Sequence, residues 1–303
     1  MKAAQFSRFG GPEVLEIVDL PDPHPGPGQV RIVVHAAGIS ATDPKLRAGT
    51  LRFGAQLPQT TGRDVAGVVD EIGEGVTDVA VGDRVFGVSD DGAGAAELAL
   101  LTFRAIIPPP LGFVDAAGLP VALETATRAI DQLGVKSGST LFINGASGGI
   151  GSTAVQLAAA RGARVIGAAS AASQNYLSFL GAEPVTYGEG MIERVRALAP
   201  GGVDVALDVA GSGVLPQLID LAGGSQNVVT LADFDGSTEH GVRFSNGFAD
   251  GHAFHSLAEI GELIGAGRFW LPVDRTFPLA EIAQAHRTSE HSHVRGRLVL
   301  VIG

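Results

Sequence analysis

The chain has 303 residues, 45% hydrophobic and 17% charged, a composition of folded globular proteins with enough apolar content for full cores. Its 21 Lys and Arg against 32 Asp and Glu leave a net charge of −11, which repels phosphate backbones and anionic lipid and argues against nucleic acid as a partner. Cysteine is absent, which excludes disulfides, thiolate nucleophiles and every zinc site built on sulfur.

The N-terminal MKAAQFSRFGG lacks the apolar core of a signal peptide, and no uninterrupted apolar run reaches about 18 residues, so a cytoplasmic location is expected. The proline cluster Pro21–Val30 reads as an extended connector entering a strand. Short alternating runs follow at Gln29–His35, Val65–Ile72, Asp83–Val88 and Glu97–Leu101, separated by turn residues, and predict a β-rich domain. After Pro108–Pro110 the period changes from two to about 3.6 over Asp115–Leu133, which puts a domain boundary near 111–115.

The segment Leu141–Gly167, LFINGASGGIGSTAVQLAAARGARVIG, carries the densest chemistry. A short apolar run is followed by Gly145, Gly148 and Gly151, then a helix closed by Gly162, then a second apolar run: a dinucleotide-binding βαβ unit. Gly145 permits the tight turn, Gly148 admits a pyrophosphate close to backbone N–H groups, and Gly151 lets the helix pack on the strand. The expected cofactor-binding turn is therefore Gly145, Ala146, Ser147, Gly148, Gly149, Ile150 and Gly151, at a helix N-terminus whose partial positive charge faces the anion. A glycine triplet is weak evidence in a chain with 43 Gly; its place between strand and helix gives it weight.

Strands and helices then alternate: helix near Asn175–Leu180, strand near Val185, helix Met191–Ala199, strand Val203–Val209, helix Val214–Leu221, strand Asn227–Leu231. Such alternation predicts a parallel sheet covered on both faces. Asp233 and Phe234, just after the strand ending at Leu231, stand at a carboxyl end of that sheet, where these folds bind ligands, although a plain turn fits equally. A helix over His255–Gly267 and two short strands, around Val273 and over Arg297–Val301, close the chain.

Several separated motifs resemble the medium-chain dehydrogenase/reductase superfamily, and within it the zinc-independent quinone oxidoreductase, or zeta-crystallin-like, branch. HAAGISATDPKLRAG (His35–Gly49) is similar to the family's opening loop, TGRDVAGVVDEIGEGVTDVAVGDRVFG (Thr61–Gly87) to its signature, LPVALETATRAI (Leu119–Ile130) to the helix before the nucleotide turn, and Val273–Leu300 to the closing segment. The resemblance implies an α/β fold: a GroES-like β-rich catalytic domain over residues 1–113 and 249–303, interrupted by a Rossmann doubly wound parallel-sheet domain over 114–248 that binds NADP. It also implies a cleft between them, and a homodimer or occasionally a tetramer.

Zinc-dependent relatives place Cys and His where this chain has Ser40 and Arg63, and a structural four-Cys site has no counterpart, so no metal is expected. Asp64 is expected to tie down the turn around Gly62 and Gly67. The His residues are scattered; His291 and His293 share a face but have no third ligand nearby in sequence. Family position places Ser40, Asp43, Lys45 and Thr125 near the nicotinamide, with Lys45 as candidate proton donor, a solvated lysine or protonation by solvent being the alternatives. The implied reaction is transfer of hydride from NADPH to a quinone or α,β-unsaturated carbonyl. A non-catalytic NADPH-binding or structural protein of the zeta-crystallin type, and an alcohol dehydrogenase, are the competing readings. Substrate shape would depend on loops near 51–56 and 237–248.

Nicotinamide selectivity turns on the second strand. NAD folds place an acid about 20 residues after the glycine turn to hold the ribose hydroxyls, and here no acid occurs until Glu183, which favours NADPH over NADH. The resemblance assigns Ser170 and Tyr187 to the adenosine phosphate pocket, and Arg295 with Arg297 to a phosphate-contacting pair, exposed β-edge charges being the alternative. The lysine that many relatives place after the serine is missing, and no Lys or Arg occurs between Arg164 and Arg194.

Overall fold

Period-two patterning in the first hundred residues and the last thirty builds one unit, Met1–Val121 with Leu257–Gly303; the alternating strands and helices build another, Ala122–Ser256. The computed structural model describes residues 1–51, 56–291 and 294–303, with the backbone alone for 248 and 249.

In the first unit, β1 (Lys2–Phe6), β2 (Glu16–Asp19) and β4 (Gln59–Thr60) form a small antiparallel sheet in the order β2-β1-β4. The larger sheet comprises β3 (Val30–Ile39), β5 (Asp64–Ile72), β6 (Arg84–Val88), β7 (Leu98–Leu101), β8 (Phe103–Ile106), β15 (Val273–Pro278) and β16 (Arg297–Val301). Its path runs β15-β16-β3-β5-β6-β8, with β7 also on β3. Strand β3 shows why alternation was readable only in part. Val30, Ile32 and Val34 point into the core while Val33 is 40% exposed, but Ala36 to Ile39 are all buried. There Ala37 and Ile39 face the core while helix α2 (Phe113–Ala117) packs on the other side at Gly38, so both faces are covered and the polar half of the pattern disappears.

The helix expected over Asp115–Leu133 is two helices, α2 and α3 (Pro120–Gln132). Pro120 has no N–H to continue a helix and disfavours helical geometry at Leu119, so the chain breaks there. Because α2 packs on β3, β5, β6 and β16, this unit runs on to Val121, past the boundary drawn at 111–115.

The second unit is a six-stranded parallel sheet of β9 (Thr140–Asn144), β10 (Arg164–Ala169), β11 (Ala182–Thr186), β12 (Val205–Asp208), β13 (Val228–Thr230) and β14 (Arg243–Phe244). The order β11-β10-β9-β12-β13-β14 is the doubly wound 3-2-1-4-5-6 arrangement. Leu141 and Ile143 enter the core with α4 (Gly149–Ala160), whereas Phe142 enters the core on the opposite face with Val195 and Leu218. Burial on both faces explains the uninterrupted apolar run in β9. The remaining helices include α5 (Gln174–Phe179), α6 (Met191–Leu198), α7 (Leu215–Ala222) and α8 (Phe234–His240). Helix α9 (Gly247–Asp250) follows, and α10 (Ser256–Gly265) returns the chain to the first unit. No helix among the described residues is long and apolar enough to cross a membrane.

Helix α11 (Ile282–His291) was not foreseen, because only Ile282, Ala285, His286 and Thr288 of its ten residues are buried and the apolar stripe is too thin to read. His286 is 1% exposed and neither ring nitrogen has a hydrogen-bond partner; burial, aided by the charge of Arg47, pushes its pKa down to about 3. The folded protein therefore keeps this ring neutral where the unfolded chain takes up a proton. Below about pH 6.5 stability should fall by up to about 1.4 kcal/mol per pH unit from this group alone. Urea denaturation of the parent and of His286→Leu between about pH 7 and about pH 5 checks this: the parent should lose stability more steeply, and parallel curves would contradict it.

Candidate functional site

The glycine turn joins β9 to α4, and its geometry depends on missing side chains. Gly145 has φ of 84°, a left-handed conformation that a Cβ penalises. A Cβ on Gly151 would lie 2.2 Å from the Gly145 carbonyl oxygen and 2.8 Å from the Ala146 Cα, so only glycine lets α4 approach the turn this closely. Gly148 differs: it is extended, and a Cβ there would meet nothing nearer than 4.0 Å. It is the N-cap of α4 with no side chain accepting from the first turn, so the helix's leading N–H groups face outward, as a pyrophosphate site requires. Ala146 is buried beneath the turn, while Ser147, Gly149 and Ile150 are half-buried along it.

A cavity of about 880 Å³ opens beside this turn, lined by Gly145 and Ser147, by the loop after β11 (Tyr187 to Gly190) and by residues after β12 (Ala210, Ser212, Val214). The loop after β12 is held by Asp208, a fully buried carboxylate. Its Oδ1 accepts from Asn144 Nδ2 at 2.9 Å and from the N–H groups of Ala210 and Gly211 at 3.2 and 2.9 Å, and its Oδ2 accepts from Thr230 Oγ1 at 2.8 Å. Thr230 Oγ1 in turn accepts from the N–H groups of Ala232 and Asp233. One polar seam thus fixes the carboxyl ends of β9, β12 and β13. The sequence reading passed over Asp208 and Asn144; the signal was a polar residue ending each of two apolar strand runs.

On the side of β10, Ser170 Oγ is 3.1 Å from Ser173 Oγ. Gln174 Nε2 donates to the carbonyls of Ala169, Ser170 and Val185, joining the ends of β10 and β11. Tyr187 is 52% exposed and lines the cavity. Glu183, the first acid after the turn, is taken by Arg164 in a bidentate pair at 2.6 and 2.8 Å, each partner holding the other in its charged form. Three other acids, Glu189, Glu193 and Asp220, line the cavity instead. Past β13, Leu231 donates its N–H to the Asp208 carbonyl, Asp233 caps α8 by accepting from Gly236 N–H at 2.9 Å, and Phe234 stacks edge-on against Phe244.

Of the expected catalytic residues, Thr125 stands on α3 and donates to Glu124 Oε2 at 3.0 Å. Glu124 also receives Arg128 Nε at 2.7 Å, and Arg128 continues to Ser245. Burial opposes charge on Glu124, yet the bonds from Arg128, Ala253 N–H and Thr125 bring its pKa below the usual carboxylate value. The other candidates stand in the first unit, where Ser40 donates from its N–H (2.6 Å) and from Oγ (2.9 Å) to Asp43 Oδ2. Asp43 is fully buried, and that burial raises its pKa in spite of the bonds from Ser40 and the charges of Arg297 and Arg63. Lys45 is exposed on α1 (Thr42–Ala48).

Asp64 does not tie down the turn between Gly62 and Gly67. It accepts from Val121 N–H at 2.7 Å at the start of α3 and pairs with Arg297. Burial still pushes its carboxyl up to about 6. The basic pair of the closing segment therefore divides: Arg295 is exposed, whereas Arg297 is 5% exposed with its guanidinium committed to Asp64, because β16 is sandwiched between β3 and β15 with α2 packed on it. Of the two histidines read as sharing a face, His291 ends α11 and is exposed, and His293 lies outside the described residues, as does most of the 51–56 loop. Among the described residues no group of three or more His, Asp or Glu is placed to hold a metal ion.

Comparison with known proteins bears on this arrangement. The alcohol dehydrogenase GroES-like domain family matches residues 26–102, and the zinc-binding dehydrogenase family matches 180–300. The quinone oxidoreductase of Sus scrofa is 32% identical over the full chain and 98% of its own length. Among solved structures, an NAD-dependent alcohol dehydrogenase is 29% identical with a TM-score of 0.85, each chain fully covered. A mycobacterial protein solved as its NADPH complex is 28% identical with a TM-score of 0.82, over 99% of this chain and all of that one. The first unit is thus a GroES-like domain and the second a Rossmann-type domain.

The three glycines should separate by experiment. Gly148→Ala should leave stability within about 0.5 kcal/mol, since the site is open, yet weaken binding of an adenine dinucleotide by about tenfold or more. Gly151→Ala should destabilise the protein by about 1–3 kcal/mol through overpacking. Thermal melts with calorimetric titration distinguish them; equal effects at both positions would show that the turn does not work this way.

Proposed function

The chain belongs to the medium-chain dehydrogenase/reductase superfamily, and on that footing we propose that it is an NADPH-dependent reductase of quinones or α,β-unsaturated carbonyl compounds that needs no zinc. The observation that carries the reading is the glycine turn with its uncapped helix N-terminus opening on a nucleotide-sized cavity. The residues fit a dinucleotide: Gly145 to Gly151 would hold the pyrophosphate, and the loops after β11 and β12 would hold the adenosine. When bound, the nicotinamide supplies the hydride.

The residues at the zinc positions of related enzymes do not fit a metal. Ser40 offers a neutral hydroxyl that already donates to Asp43, and Arg63 offers a cation. In this reading Ser40 and Asp43 present a donor to the substrate instead. Asp43 holds the Ser40 loop through the Ser40 N–H, Ser40 Oγ turns from Asp43 to donate a hydrogen bond to the substrate oxygen as negative charge develops there, and solvent supplies the proton that finally neutralises that oxygen. Lys45, exposed on α1, is left to solvent. Thr125 is held in place by Glu124, and Tyr187, Ser170, Leu231, Asp233 and Phe234 stand at or near the carboxyl edge of the Rossmann sheet where the coenzyme would extend.

Stopped-flow measurement of NADPH oxidation against a panel of quinones and enones tests the reading, with metal analysis of the same sample. Turnover without stoichiometric zinc is expected; tight coenzyme binding with no turnover across the panel would overturn it. Ser40→Ala and Asp43→Asn should each lower kcat by about 10²-fold, with Lys45→Ala nearly neutral.

A further inference from the structure

We infer that Arg194, standing beside the cavity of the second unit behind its lining residue Gly190, is the cation that selects a 2′-phosphorylated adenosine there, an assignment that rests on the dinucleotide reading above. Arg194 lies on α6, and its guanidinium reaches back to the loop after β11. Nε and Nη2 donate to the Thr186 carbonyl at 3.2 and 2.8 Å, and Nη2 also donates to the Glu189 carbonyl at 2.9 Å. Carbonyl oxygens orient a guanidinium without neutralising it, so the full positive charge is kept. The third nitrogen, Nη1, lies against Gly190, one of the cavity-lining residues: a Cβ built there would be 2.9 Å from it.

Its place follows from strand pairing. Thr186 is opposite Ala169 in the β10/β11 ladder, and Tyr187 N–H donates to the Ala169 carbonyl. The charge therefore stands at the same carboxyl edge as Ser170, Ser173 and Tyr187, where β10 ends and a ribose 2′ position is held in doubly wound folds.

The other cations of this unit are spoken for or elsewhere. Arg128 pairs with Glu124, Arg161 with Asp131, Arg164 with Glu183 and Arg196 with Asp220. Lys136 precedes β9 and so stands at the amino end of the sheet, and Arg243 opens β14 at the edge opposite β11. Arg194 is thus the uncancelled charge beside β11. Glu189, Glu193 and Asp220 line the same cavity; Asp220 is held by Arg196, but the two glutamates would repel a phosphate dianion, which makes the guanidinium decisive for the sign of the preference.

The test uses fragments that lack nicotinamide, so that it does not depend on turnover. Isothermal titration of the parent with adenosine 2′,5′-bisphosphate and with 5′-ADP should show the 2′-phosphate compound binding at least about tenfold more tightly. Arg194→Gln should abolish or invert that ratio while 5′-ADP affinity changes less than about threefold, and Arg194→Lys should restore part of it. Unchanged 5′-ADP binding certifies that the loop is intact in each variant. A preference that survives in Arg194→Gln overturns the inference. A parent with no preference overturns it too, leaving the dinucleotide site standing. Failure of both compounds to bind the parent removes the dinucleotide reading along with it.

Discussion

The second unit depends on a contact that only glycine permits. The Gly145 carbonyl sits where a Cβ of Gly151 would have to be, so the first turn of α4 is pressed onto the end of β9 and its N–H groups are aimed outward. That arrangement would be loose without a wall on the other side. Ala210 supplies it, since a Cβ on Gly145 would lie 2.9 Å from the Ala210 Cβ. Ala210 is itself placed by Asp208, whose buried carboxylate receives the Ala210 and Gly211 N–H groups together with Asn144 and Thr230. A buried carboxylate is tolerable only when its oxygens are satisfied in this way, and once satisfied it rigidifies everything it touches. Steric exclusion at Gly151 and polar saturation at Asp208 therefore act as one device that sets the cavity mouth.

Buried charge in the two units follows one rule with two outcomes. Glu124 is drawn below the usual carboxylate range because a neighbouring guanidinium and several donors outweigh desolvation. Asp43 and Asp64 are raised because each is fully buried and Asp43 also repels Asp64. Glu124 receives two bonds from Arg128 besides those of Thr125 and the Ala253 N–H, whereas Asp43 receives two from Ser40, and Asp64 one from the Val121 N–H beside its pairing with Arg297. Glu124, so held, accepts the Thr125 hydroxyl.

What the sequence disclosed tracks how regular the local physics is. The Rossmann strands were legible because burial on both faces gives unbroken apolar runs such as Leu141–Ile143, and the glycine turn because its steric demands admit one residue type. The break at Pro120 was missed because the apolar spacing continues across it while the backbone does not. Helix α11 escaped because so few of its residues face the core. Of the candidate site, Ser40, Asp43, Ser170 and Tyr187 were nameable from motif position, and the bonds of Ser40 to Asp43 and of Ser170 to Ser173 are local; the pairing of Asp64 with Arg297, 233 residues away, is not. No periodicity or motif encodes such a pairing. Arg194 was invisible for a similar reason, since its direction depends on a loop that curls back over the helix bearing it.

The pairing of Asp64 with Arg297 also sets the charge balance around the Ser40 loop of the first unit. Two carboxylates, Asp43 and Asp64, are buried near one another beside the Ser40 loop, and such a concentration of negative charge usually calls for a cation. Here Arg297 and Arg63 furnish it, both lowering the pKa values of the two acids against the pull of desolvation. A divalent ion entering the same space would meet positive charge already in place, with no soft or anionic donor at position 40 or 63 to receive it. The guanidiniums thus hold the electrostatic position of a metal without its Lewis acidity, since neither presents an open coordination site to a carbonyl oxygen. Beside them Ser40 keeps a neutral hydroxyl bonded to the buried Asp43 carboxyl.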